Sequence, residues 1–238
     1  MIPIGDRDRS PVFPIVVYAI VVLNVYVFVR EAQTPAPDAF VNAFAVIPYD
    51  VTHGIVLAPP GPPLPWFTLI TSQFLHGSIL HIFFNMLFLL VFGPEIEYLC
   101  GHFRFAVFYL LGGTIAGLTQ VLVYPGSHVP SIGASGAIAA VLGGYIVTFP
   151  TNTIQTIVPI GCFPLFLRLP AILVIGVWAA VQFVTGFGAI STRVASEQGG
   201  GIAYFAHIGG FLAGVLLIGF FRTRPPGSVG RRYRYYYR

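Results

Sequence analysis

Six stretches of 15 to 20 residues carry no charged side chain: 12–29, 79–94, 105–124, 135–149, 170–187 and 202–221. A hydrocarbon core about 30 Å thick is crossed by roughly 20 apolar residues in a helix. The recurrence therefore predicts a polytopic membrane protein, all-α, with six transmembrane helices in one bundle. Composition closes off the alternatives. Of 238 residues, 56% are hydrophobic and 8% charged, whereas a soluble domain carries about 25% charged residues to cover its surface. The net charge of +4 is small and half of the twelve arginines lie in 222–238, so neither a disordered polyelectrolyte nor a nucleic-acid binder fits, and no nucleic-acid partner is expected. Two cysteines, Cys100 and Cys162, make one disulfide at most and no zinc site. No metal and no cofactor are expected.

Punctuation supports the six spans. Pro11 precedes the first, Pro170 stands at a favoured first-turn position of the fifth, and Gly133 with Ser135 marks the start of the fourth. The long connection between spans one and two holds Pro35, Pro37, Pro59, Pro60, Pro62, Pro63 and Pro65. These break any long helix and leave a segment expected to fold on the membrane surface. Trp66 and Phe67 at its end suit an interfacial anchor and equally a loop-packing role. The first span is too long for the 7–15 residue apolar region of a signal peptide. The whole of 1–238 is accordingly read as a single membrane domain, ending in a basic tail, 222–238.

Every basic residue is arginine. With both termini in the cytoplasm, Arg7, Arg9, Arg104, Arg168, Arg222, Arg224, Arg231, Arg232, Arg234 and Arg238 lie inside, and only Arg30 and Arg193 lie outside. That bias sets the orientation. Both cysteines then face the reducing side and are expected to be unpaired. The tail from Arg231 to Arg238 reads as a disordered stop-transfer end, with attraction to anionic lipid headgroups as a by-product.

Polar groups inside a bilayer are costly, so the few that remain are informative. They are Asn24, His81, Asn85, Thr114, Gln120, Ser135, Gln182 and His207. In this orientation His81 and Asn85 fall in the outer half of span two, on one face by their i, i+4 spacing. Ser135 begins span four and His207 lies near the start of span six. Span four is short, about 22 Å at helical rise, which puts at least one end below the membrane surface. Taken singly, each has a structural role: a serine at a helix start is more often an N-cap than a nucleophile, and a lone buried histidine is more often hydrogen-bonded scaffold. Asn24, Thr114, Gln120 and Gln182 read as interhelical hydrogen-bonding residues, a role open to Asn85 too. Convergence of a hydroxyl, two imidazoles and an amide on three spans at matching depth favours catalysis. Small residues at Gly136, Ala140 and Gly144 on span four, and at Ala206, Gly210 and Gly214 on span six, allow the two helices to approach closely and carry His207 toward Ser135.

These motifs resemble those of the rhomboid intramembrane serine proteases. Gly133-Ala134-Ser135-Gly136 resembles the family's GxSG nucleophile motif, and Ala206-His207-Ile208-Gly209-Gly210 with Gly214 resembles the segment of its catalytic histidine. His81 and Asn85 form the HxxxN arrangement near the family's oxyanion hole, and His76 falls where rhomboids commonly place a histidine. Phe92-Gly93-Pro94-Glu95-Ile96-Glu97, ending at Gly101, resembles the cytoplasmic end of the family's second span. Two positions depart: Trp66-Phe67 stands where many members have Trp-Arg, and Ala139 replaces an aromatic that in some members stacks on the catalytic histidine. The resemblance implies a Ser135 nucleophile, a His207 general base and acid, an oxyanion hole from Asn85, His81 and the Ser135 backbone, and transmembrane protein substrates met among membrane lipids. It also implies an active site opening to the outer face, here of a prokaryotic plasma membrane, with span five and Gly199-Gly200-Gly201 as candidate gate and cap.

No aspartate or glutamate lies in the outer half of any predicted span, so a Ser-His dyad is expected, with Glu197 the one nearby acid for a third member. Rival readings are a catalytically inactive rhomboid-like membrane-protein-binding protein, a haem-binding membrane protein with histidine ligands, and a transporter, which the lack of intramembrane charge and of internal repeats disfavours.

Overall fold

The computed structural model describes residues 1–8, 10–55, 60–160, 163–192 and 203–225. Cys162, Arg193, Glu197, the glycines at 199–201 and the tail from 226 onward lie outside the described residues. In chain order the elements are strand β1 (Ile2–Asp6), α1 (Ile15–Gln33), α2 (Pro37–Phe44), α3 (Pro48–His53), α4 (Thr68–Thr71), α5 (Ile79–Cys100), α6 (His102–Val123), α7 (Ser135–Thr148), strands β2 (Thr153–Ile160) and β3 (Phe163–Pro170), α8 (Ala171–Thr192) and α9 (Tyr204–Phe221). Among the described residues five helices are long and apolar enough to cross a membrane: α1, α5, α6, α8 and α9. The fourth predicted span is the shorter apolar helix α7.

Helix α7 is the axis of the bundle. Its residues 136–145 are all buried, as expected of a helix apolar on every side. The fully buried Phe92, Phe105, Phe108, Tyr109 and Tyr145 belong to the same core. Apolar burial gives little preference between lipid and protein, so close backbone packing must hold such helices together. A β-carbon on Gly210 would overlap the carbonyl oxygen of Gly136, and one on Gly214 that of Ala140. The small residues of α7 and α9 thus bring the two backbones into contact, and the start of α9 lies beside the start of α7.

Several boundaries differ from expectation, those of α1 and α5 with the most consequence. The first helix begins at Ile15, after Pro14, and continues past Arg30 to Gln33, so it carries Glu31 at the same end of the bundle as Ser135. Glu31 is buried and accepts the backbone N–H of His76 at 3.2 Å. The expectation that no acid lies in the outer half of any span, with Glu197 the one nearby, is therefore corrected: the last turn of α1 carries a carboxylate, committed to a backbone donor. The second helix does not stop at Pro94 but runs through it to Cys100, and Gly101, at φ 81°, makes the turn into α6.

The chain is mostly helical, as expected of a polytopic membrane bundle, and to the helices it adds, among the described residues, a three-stranded antiparallel sheet, order β1-β2-β3. Ile2 pairs with Ile157 and Asp6 with Ile154, while Thr153 pairs with Pro170 and Ile160 with Phe163. The segment from Thr153 to Val158 is rich in β-branched residues, which favour strands. The sheet joins α7 to α8 at the end away from Ser135, and Tyr145 of α7 donates its hydroxyl hydrogen to Asp6 of β1.

Among the described residues between α1 and α5 are three short α-helices, with Pro37 and Pro48 at the first turns of α2 and α3. Trp66 and Phe67 are about half exposed. Cys100 is buried and free.

Candidate active site

The first residue of α7 is Ser135, and its N-cap position is taken by Ala134, which makes no side-chain cap. The Ser135 hydroxyl is therefore not used as a helix cap. Its Oγ lies 2.7 Å from Nε2 of His207, in the first turn of α9. The first N–H groups of α7, that of Ser135 among them, have no acceptor within the helix. The site is half-buried, and α7 accounts for its depth: 14 residues span roughly 21 Å at 1.5 Å per residue, short of a hydrocarbon core about 30 Å thick.

The donors from α5 stand against the segment that precedes the serine. Gly133 has φ 120°, and a β-carbon there would meet His81 Nε2 at 2.7 Å and Asn85 Nδ2 at 3.6 Å. Both the backbone conformation and the space require glycine. The Gly133 N–H donates to the carbonyl of Ser72 at 2.9 Å, fixing the approach to α7. On α5, Ser78 caps the helix by accepting the N–H of His81 at 3.1 Å, and His81 and Asn85 follow on one face. The buried Nδ2 of Asn85 has no hydrogen-bond partner among the described residues. An unpartnered buried donor is costly, and here it lies beside the loop that delivers Ser135. Gly210 and Gly214 serve the packing of α9 on α7, and a β-carbon on Gly136 would meet that of Ala116 on α6 at 2.6 Å.

His81 also touches His76, whose ring stands edge-on at 5.0 Å between centroids. His76 is fully buried, and burial first, the neighbouring His81 second, pushes its imidazole down to about 4.

Two neighbours of His207 were not read as site residues from the sequence. Nδ1 of His207 lies 2.8 Å from Oε1 of Gln182, and the Trp178 ring centroid is 5.9 Å from that of the imidazole, at 41°. Both belong to α8. Gln182 read as interhelical hydrogen bonding, which it is; the partner's identity lies in the three-dimensional arrangement. The departure at Ala139 is also met differently: the aromatic beside His207 comes from α8 and not from α7.

Residues 63–224 match the sequence model described as the Rhomboid domain. The chain is 30% identical to Rhomboid-type serine protease 2 of Emericella nidulans over 170 residues, 71% of this chain and 29% of that protein. It is 30% identical to Rhomboid protein 1, mitochondrial, of Saccharomyces cerevisiae over 205 residues, 84% of this chain and 51% of that protein. Rhomboid protease GluP of Bacillus subtilis is 28% identical over 167 residues, 70% of this chain and 28% of that protein. The chain thus spans about half or less of the length of the curated relatives it matches. The matched segment contains the HxxxN, GxSG and histidine motifs in that order and covers more than half of the chain, which is an integral membrane protein belonging to the rhomboid family.

Proposed function

We propose that the chain is an intramembrane serine endopeptidase that cleaves a peptide bond in or near transmembrane segments of other proteins. The observation that carries this reading is the 2.7 Å contact between Ser135 Oγ and His207 Nε2 on two adjoining helices. A hydroxyl becomes a useful nucleophile when a base within hydrogen-bond reach takes its proton. Ser135 attacks the carbonyl, His207 accepts the proton at Nε2 and returns it to the leaving amine. The oxyanion that forms is met by the Ser135 N–H, the free Nδ2 of Asn85 and His81, donors of the kind that stabilise such charge. Water acts as the second nucleophile and resolves the acyl-enzyme, with His207 again as base. The names of the Emericella nidulans and Bacillus subtilis relatives, serine protease and rhomboid protease, support the same chemistry.

In this reading the shorter α7, the fourth span in chain order, crosses together with the five long helices, and six helices cross the bilayer as one domain. The arginine bias puts both termini in the cytoplasm and opens the Ser135 end to the outer face. Substrates arrive from the lipid. A haem-ligand role for His207 is disfavoured because both ring nitrogens already have partners, Ser135 and Gln182.

Labelling of the purified protein by a fluorophosphonate probe tests the proposal. The wild type should label; Ser135→Ala should not label, and His207→Ala should label at least about a hundredfold more slowly, the scale of general-base assistance. Equal labelling of all three would overturn it, and no labelling of a folded wild type would favour the inactive binding protein.

A further inference from the structure

The His207 imidazole has two nitrogens, and only one faces Ser135. The other, Nδ1, lies 2.8 Å from the side-chain oxygen of Gln182 on α8. An amide oxygen can only accept, so the bond requires the hydrogen to sit on Nδ1. Nε2 then keeps its lone pair toward the Ser135 hydroxyl, the arrangement a general base needs. Trp178 lies one turn before Gln182, on the same face of α8 by its i, i+4 spacing, and its ring also rests near the imidazole. A single helix that carries neither member of the pair thus contacts the base twice.

We infer that Gln182 is a positioning residue, which holds His207 in the Nδ1–H tautomer and in the ring orientation that directs Nε2 at Ser135. The inference rests on the protease reading above. Gln182 occupies the place that an acid fills in a Ser-His-Asp triad, with one chemical difference. A carboxylate fixes the tautomer and also stabilises the imidazolium by its charge; a neutral amide does the first and contributes only its dipole to the second. Among the described residues no carboxylate bonds to His207, and the titratable group that faces it from the helices packed around it is His81 on α5. The orientation of the base is thereby supplied from α8 without a buried charge, which a membrane site would accommodate only at high cost.

The test compares Gln182→Met, of similar length but without an acceptor, with Gln182→Glu, an acceptor that can carry charge. Each is made in the full chain and measured as the rate of fluorophosphonate labelling against pH, with Ser135→Ala as the control. Loss of the acceptor should slow labelling by about tenfold or more, as for a hydrogen bond to a group that becomes charged. Glutamate should label well and move the acid limb of the profile upward by about one pH unit or more, since a nearby negative charge favours imidazolium. A Met variant that labels at the wild-type rate overturns the inference. So does a Glu variant whose acid limb stays in place while both variants merely melt earlier, because that is the signature of packing alone. If Met does not fold, the Glu profile decides by itself. Labelling that survives Ser135→Ala overturns the protease reading, and this inference with it; Ser135-dependent labelling that is indifferent to residue 182 overturns only the inference.

Discussion

His76 exposes no surface to solvent, and its two ring nitrogens find no hydrogen-bond partner among the described residues. Its backbone N–H is held by Glu31, and its ring lies against the proposed oxyanion donor His81. Burial keeps the ring neutral by lowering it from an ordinary 6.5 to about 4. Between those values the unfolded chain binds a proton that the folded chain refuses, so stability falls as pH is lowered through this window and is fully present above it. The melting temperature in detergent should therefore drop between pH 6.5 and about 4, and His76→Phe should flatten that drop. An unchanged acid slope in the variant would show that other groups carry it. Residues of this kind were legible as candidates because so few polar side chains interrupt the apolar runs. Ser135, His207, His81 and Asn85 stood out by type and spacing. Gln182 did not, since a glutamine in a span predicts a bond to some other helix without saying which. Glu31 was hidden because Arg30 looked like the end of its span.

At the scale of elements, helix ends were harder to read than helix existence. Pro94 marks a helix end by its missing N–H and its clash with the preceding turn, yet α5 continues for six residues beyond it. Those residues carry Glu95 and Glu97, and the buried carboxylates have employment: Glu95 accepts the N–H of Ser10 at 2.7 Å, and Glu97 accepts those of Val16 and Val17 at 2.9 and 2.8 Å. Glu97 thus serves the start of α1, where N–H groups lack partners and negative charge is favoured. Sequence spacing alone does not reveal a cap supplied by another helix. The α7–α9 contact, in contrast, was legible, because small residues four apart on both helices leave room for close approach. It also makes a discriminating prediction. Gly214→Val should place side-chain atoms on the Ala140 carbonyl and destabilise by about 3 kcal/mol, the upper end for overpacking, lowering the melting temperature by roughly 5–10 °C and slowing labelling of Ser135. Gly219, five residues on, has nothing within 4 Å of a β-carbon, so Gly219→Ala should leave both unchanged or slightly raise stability. Equal damage from both would mean that glycine content, not contact, matters in α9.

For the whole molecule, the sheet is the part the sequence left unread. Counting spans treats what lies between them as connection, and the strand-forming run at 153–158 falls in such a connection. Its first partner, β1, comes from the opposite end of the sequence, a pairing that no local pattern announces. The sheet, Asp6 with Tyr145, and the Glu95–Glu97 contacts gather at one end of the bundle, while Ser135, His207, His81, Asn85 and Glu31 gather at the other. One end is thus tied by polar contacts, and the other holds the proposed reactive groups. Which end faces the cytoplasm rests on the arginines. Cysteine labelling decides it, in a background with Cys100→Ala and Cys162→Ala. Phe103, 81% exposed at the start of α6, and Gly126, exposed just past its far end, lie about 33 Å apart along a helix of 22 residues. In intact bacterial spheroplasts an impermeant maleimide should label Gly126→Cys at once and Phe103→Cys only after lysis. The reverse pattern would turn the molecule over, open Ser135 toward the cytoplasm, and require substrates to be cut at the other end of their spans.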